Sequence, residues 1–203
     1  MTRGSRPPTL DEAIAALKDP RGDGSLKLVS HGFSKRTMPA QKPGRSIQTY
    51  STPIEFIDAV QRRFRIRMFA YDLAASIENT KAKYFFCEEE DSLKQDWSKL
   101  SGPLWLNPPF GHIEPWAEKC KISTRTPGRT IYFLTPASVG ASWFARHVWR
   151  ECNHCCIYAL EGRLSFDGIA PYPKDCMLTV FSFPPPNLRE RFDVWDWRKE
   201  LNR

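Results

Sequence analysis

Apolar positions along this chain recur with two periods, and their alternation predicts the elements. Leu10, Ile14 and Leu17 lie on one helical face behind a capping box at Thr9-Leu10-Asp11-Glu12. A second box, Thr52-Pro53-Ile54-Glu55, precedes a stripe of Phe56, Ile57, Val60 and Phe64. Here Thr52 can cap, Pro53 suits the first helical position and Glu55 can reach back. Arg62, Arg63, Arg65 and Arg67 follow at its end, favourable for the helix dipole. Short apolar runs then read as strands at 68–72, 84–86, 103–106, 130–134, 155–160 and 177–183, with helices at 113–122 and 142–150. Strands alternating with helices from Thr52 to about Arg150 predict an α/β fold with a mostly parallel sheet. Ligands of such sheets bind at the carboxyl ends of the strands, which directs attention to Asp72 and Asn107.

The stretch 21–48 breaks this pattern. It is rich in Gly and Pro, carries Lys27, Lys35, Arg36, Lys42 and Arg45, and has Asp23 as its one acid. It reads as an irregular basic arm, and Lys35, Arg36, Lys42 and Arg45 are candidate contacts to a phosphate backbone, which demands charge but no base-specific geometry. The whole chain has 203 residues and a formal charge of +7. That excess points towards an acidic partner, nucleic acid being the commonest. No apolar run approaches a membrane span, and the N-terminus lacks the apolar centre of a signal peptide. The six cysteines are accordingly read as thiols of a reducing cytoplasm. Cys152-Asn153-His154-Cys155-Cys156 enters an apparent strand, where neighbours face opposite ways, so no metal site is assigned. His112 and His147 are read as structural or surface residues, and Trp195 and Trp197 as packing the C-terminal segment onto the domain.

Asn107-Pro108-Pro109-Phe110 carries the clearest chemistry. Prolines donate no ladder hydrogen bond, so the strand stops there, and they hold the preceding Asn107 extended at the strand end. The Asn107 carboxamide oxygen and the Pro108 carbonyl are two acceptors suited to a planar amino group with two N–H donors. Phe110 offers a face on which a heterocycle can stack.

This tetrapeptide resembles the catalytic motif of amino-methyltransferases: Asp or Asn, two prolines, then Tyr or Phe. Thr52-Pro53 resembles the Thr-Pro helix start that these enzymes place before their first strand. Phe69-Ala70-Tyr71-Asp72-Leu73-Ala74-Ala75 resembles the cofactor loop, with Ala74 and Ala75 where glycine is usual. Glu90-Asp91-Ser92-Leu93 with Asp96-Trp97 resembles the acidic-small-Leu and Trp pattern ahead of the catalytic strand. The ordered series, from Tyr50 to about Trp116, is similar to the phage-type DNA N6-adenine methyltransferases, and Gly162-Arg163-Leu164-Ser165-Phe166 with the 177–183 strand resembles their C-terminal half.

The resemblance implies a Rossmann-like methyltransferase fold, with helices on both faces of the sheet, that uses S-adenosyl-L-methionine. It implies a catalytic set of Asn107, Pro108, Pro109 and Phe110, and a cofactor set of Thr52, Pro53, Asp72, Ala74, Asp91 and Ser92. It implies an N-terminal helix and arm at 1–48, a catalytic domain at 49–186 and a tail at 187–203. DNA is the expected partner, duplex with its target base flipped, in the cytoplasm of a bacterial or phage-infected cell. The chain lacks room for a separate target-recognition domain, which leaves recognition to the arm, the 119–129 stretch or the 161–174 segment. RNA adenine or protein glutamine as acceptor, and a non-catalytic nucleic-acid-binding module of the same fold, are the alternative readings.

Overall fold

The computed structural model describes residues 51–168, 170–185 and 191–202. The expected helix at Thr9–Leu17 and the basic arm with Lys35, Arg36, Lys42 and Arg45 lie outside the described residues.

Helix α1, Ile54–Phe64, buries Phe56, Ile57, Ala59 and Val60 along one stripe. Its start differs from the sequence expectation by one residue. Pro53 occupies the cap position, and its carbonyl accepts from the backbone N–H of Phe56 (3.1 Å) and Ile57 (3.2 Å). The Thr52 hydroxyl is thereby displaced from the helix end and accepts a hydrogen bond from elsewhere in the chain, described below. The helix stops at Arg65, which adopts a left-handed φ of 55°.

Strands β1 (Phe69–Asp72), β2 (Ala82–Phe85), β3 (Gly102–Leu106), β4 (Arg129–Pro136), β5 (Cys155–Leu160), β6 (Cys176–Ser182) and β7 (Phe192–Trp195) form one seven-stranded sheet in the order β2-β1-β3-β4-β6-β5-β7. Helix α2 (Glu114–Ser123) joins β3 to β4, and α3 begins at Ser142–Phe144 and widens into a looser helical turn over Ala145–Arg150.

The sheet is mixed, a correction to the mostly parallel one that the alternation of elements predicts. β1, β2, β3 and β4 pair in parallel, whereas β6 runs antiparallel to both β4 and β5. The cause is the connection. A parallel return requires a crossover of a dozen or more residues, usually a helix. The 161–175 segment between β5 and β6 holds only the short turn Phe166–Gly168 among its described residues, so β6 folds back beside β5.

Alternate strand residues feed two cores. Trp105, Tyr132 and Leu134 pack with α1 on one face, while Leu104, Leu106, Ile131 and Phe133 pack with Ala117 and Cys120 of α2 on the other. Burial on both faces explains why these strands read as near-continuous apolar runs. β7 pairs in parallel with β5, and the turn Trp197–Asn202 that follows it buries Trp197 against Phe56 of α1, with ring centroids 5.4 Å apart. Arg63 of α1 lies across the rings of Tyr158 and Trp195 and pairs with Asp193 at 2.9 Å.

No helix among the described residues is long and apolar enough to cross a membrane. All six cysteines are free thiols, and no three metal-ligating side chains converge among the described residues.

Candidate active site

β1 and β3 are parallel neighbours, so their carboxyl ends, Asp72 and Leu106, lie side by side. The turns leaving these ends open a cavity of about 440 Å³. Thr52, Asp72, Ala74, Asp91, Ser92, Asn107 and Pro109 all line it, gathered from four separate stretches of the chain.

Asn107 follows the last residue of β3, where the two prolines end the ladder. Its Nδ2 donates to Thr52 Oγ1 at 3.1 Å, which orients the amide and leaves Oδ1 as the carboxamide's acceptor side. Pro109 faces the cavity and Pro108 is buried beside it. Phe110 is not a cavity-lining residue. It packs edge-on against Phe166 (6.1 Å) and Tyr172 (5.7 Å) from the segment between β5 and β6. Pro53 does not line the cavity either, its carbonyl being committed to the start of α1.

Asp72 is 2% exposed. Its Oδ2 accepts from the Lys81 backbone N–H at 2.9 Å and its Oδ1 from that of Ala74 at 3.3 Å. Burial outweighs these bonds and pushes its carboxyl up to about 6. Asp72 therefore shapes the loop after β1 as well as facing the cavity. The loop contains no glycine, and the methyl side chains of Ala74 and Ala75 stand in the wall.

The opposite wall comes from the end of β2 and the turn after it. Glu90 closes this turn by accepting from the Cys87 backbone N–H at 3.0 Å, whereas Glu88 and Glu89 line the cavity. Asp91 adopts a left-handed conformation, φ 48° and ψ 80°, and its carboxylate is held below the usual range by the Lys94 ammonium at 2.9 Å. Ser92 is buried, and its hydroxyl has no hydrogen-bond partner among the described residues. Phe86 and Trp116 supply aromatic surface, and Trp116 lies 6.3 Å from buried Trp97.

Asn79, Lys81, Phe86 and Trp116 line the cavity without having been singled out as site residues. Trp116 has a usable signal, an aromatic on the first helix after the Pro-Pro turn. Asn79 and Lys81 have none, since a loop before an edge strand looks alike whether or not it borders a cavity.

A family model described as DNA N-6-adenine-methyltransferase (Dam) matches residues 40–175, a span that includes every described residue assigned above to the cavity wall. The chain belongs to that family. A DNA N-6-adenine-methyltransferase of Escherichia phage T1 is 31% identical over 173 residues, covering 76% of this chain and 68% of the relative. A DNA N-6-adenine-methyltransferase of Haemophilus phage HP1 (strain HP1c1) is 26% identical over 117 residues, covering 58% of this chain and 65% of the relative.

Proposed function

We propose that this chain is an adenine-specific DNA methyltransferase that transfers a methyl group from S-adenosyl-L-methionine to the exocyclic N6 of adenine. The observation that carries the reading is the junction of Asn107 with Thr52 and Asp72 around one cavity, in a chain of this family. We read the mixed sheet as a Rossmann-like methyltransferase arrangement with one reversed strand, β6.

The residues present fit the methyl donor. Among the described residues the cavity wall carries Asp72, Glu88, Glu89 and Asp91 against one cation, Lys81, an acidic balance suited to a sulfonium and an ammonium group. Phe86 and Trp116 offer faces for a purine, and the buried Ser92 hydroxyl is a polar group that a ligand can satisfy. When bound, S-adenosyl-L-methionine supplies an already activated methyl, so no covalent enzyme intermediate and no metal enter the scheme.

The protein's part is positioning and charge stabilisation. Asn107 Oδ1 and the Pro108 carbonyl accept the two hydrogens of the adenine amine, which draws the nitrogen lone pair out of ring conjugation and aims it at the methyl. As the nitrogen gains positive charge, these fixed acceptors stabilise it without reorganising. Thr52 holds the Asn107 amide in the required orientation. We assign Phe110, packed against Phe166 and Tyr172, as the ring on which the flipped base stacks. A duplex substrate must flip its adenine out of the stack to reach this pocket. The basic arm at 1–48, with Lys35, Arg36, Lys42 and Arg45, contacts the backbone, and the reaction takes place in the cytoplasm of a bacterial or phage-infected cell.

The direct experiment is incubation with methyl-labelled S-adenosyl-L-methionine and unmethylated duplex DNA, followed by nucleoside mass spectrometry. N6-methyladenine is the expected product. Cofactor binding without any methylated deoxynucleoside would move the acceptor to RNA or protein.

A further inference from the structure

The helix that follows the Asn-Pro-Pro-Phe turn also governs the far wall of the cavity. α2 carries Trp116 at the cavity and Lys119 three residues later, a spacing that places both on one helical face. Lys119 Nζ donates to three backbone carbonyls of the acidic turn: Ser92 at 3.3 Å, Leu93 at 2.6 Å and Gln95 at 2.5 Å. An ammonium has three N–H donors, so all are engaged. The same ammonium sits 4.9 Å from the centre of the Trp97 ring, whose own Nε1–H donates to Ser92 O at 3.0 Å.

These bonds brace a turn of uncommon backbone geometry. A non-glycine residue at the left-handed φ of Asp91 is uncommon and persists where its surroundings over-determine it. The turn itself supplies Asp91 N–H to Glu88 O at 3.1 Å, Lys94 N–H to Asp91 O at 2.8 Å, Gln95 N–H to Ser92 O at 3.1 Å and the Lys94–Asp91 ion pair at 2.9 Å. From outside the turn, Lys119 and Trp97 add restraint at the Ser92, Leu93 and Gln95 carbonyls, directly beside Asp91 and Ser92 in the cavity wall.

Resting on the reading of this cavity as the S-adenosyl-L-methionine site, we propose that Lys119 is a positioning residue: through the Ser92, Leu93 and Gln95 carbonyls it fixes Asp91 and Ser92 for cofactor binding. Lys119 thereby sets cofactor affinity and takes no part in methyl transfer. It also links the catalytic turn to the cofactor wall, because the helix carrying it issues from Asn107-Pro108-Pro109-Phe110.

The test is calorimetric titration of S-adenosyl-L-methionine into the wild type, Lys119→Met and Lys119→Arg, together with steady-state methylation of duplex DNA. Met keeps the apolar stem but takes the donor from the Leu93 and Gln95 carbonyls and one of three donors from Ser92 O; Arg keeps the cation over Trp97 but cannot converge on three acceptors with a planar fork. Loss of charged hydrogen bonds predicts a Kd and cofactor KM raised about tenfold in Lys119→Met, an intermediate rise in Lys119→Arg, and an unchanged kcat at saturating cofactor. An unchanged Kd in Lys119→Met, even with a lowered Tm, overturns the proposal and leaves Lys119 a structural staple. A fall in kcat at constant KM overturns it as well. Should Lys119→Met fail to fold, Lys119→Arg decides by the same two readouts. Wild-type protein that takes up no S-adenosyl-L-methionine overturns the reading of the cavity itself, and with it the role of Lys119.

Discussion

Asn107 and Thr52 are separated by 55 positions, yet one hydrogen bond of 3.1 Å joins the turn after β3 to the entry of α1. If Asn107 acts on the substrate amine, Asn107→Ala abolishes methyl transfer while unfolding and calorimetric cofactor binding stay near wild type. Turnover close to normal in that variant would remove Asn107 from its assigned role. Thr52→Val takes away the acceptor that orients the amide and is expected to lower kcat by about tenfold, the worth of one well-placed hydrogen bond. Asp72 makes a prediction of opposite character. Burial raises its carboxyl from 3.8 to about 6, so the folded state holds the proton more tightly than the unfolded chain. Its contribution to stability is complete below about pH 4 and is lost as pH rises through about 6, a swing of about 3 kcal/mol at roughly 1.4 kcal/mol per unit. Urea denaturation of wild type and Asp72→Asn checks the sign: the wild-type stability relative to the variant falls between about pH 4 and pH 7. A pH-independent difference would show that Asp72 does not titrate in this window.

Helix α1 illustrates how one element serves both core and site. Its amino end places Thr52 at the cavity, and its buried stripe carries Phe56, whose ring meets Trp105 at 6.3 Å, Trp195 at 5.9 Å and Trp197 at 5.4 Å. Phe56→Ala opens a cavity among three indoles and is expected to cost about 3–5 kcal/mol in urea denaturation. Ile54, on the same helix but 59% exposed, is expected to tolerate alanine within about 0.5 kcal/mol. Comparable losses at both positions would contradict the packing described for α1. The Trp197–Asn202 turn is on the costly side of this division, since Trp197 closes the core over α1. The segment expected as a tail is therefore built into the sheet through β7 and into the α1 core through Trp197.

For the whole molecule the relevant quantity is charge. The chain carries +7, and the 21–48 stretch concentrates six cations against one acid. Phosphate contacts release counterions, so affinity for duplex DNA falls with salt in proportion to the phosphates neutralised. Removal of residues 1–47 is expected to weaken duplex binding and to flatten the slope of log K against log salt. A slope unchanged by the deletion would place the phosphate contacts on the sheet-bearing part of the chain instead. Loss of binding with loss of the slope, but with S-adenosyl-L-methionine affinity retained, would separate DNA binding from methyl-donor binding in one protein.

Much of this was legible in the sequence because it is local. The stripe Phe56-Ile57-Val60-Phe64 requires only a helical period, the strand ends at Asp72 and Leu106 only apolar runs stopped by a polar or a Pro-Pro signal, and the halt of the ladder at Asn107-Pro108-Pro109 only the geometry of proline. The direction of β6 was not legible, because a buried strand has the same pattern whether it runs parallel or antiparallel, and the choice follows from how the 161–175 connection returns. The Thr52 hydroxyl could equally cap α1 or meet Asn107, and only the placement of β3 beside β1 brings the second partner within reach. Lys119 carries no local signal, since a lysine on a half-buried helix looks like any solvated cation until the acidic turn is laid beneath it. The sequence by itself determined which residues could do chemistry, because reactivity and local geometry belong to single residues and their neighbours; tertiary structure alone decided which of them meet, because contact between distant residues is settled only when all the apolar faces are buried together.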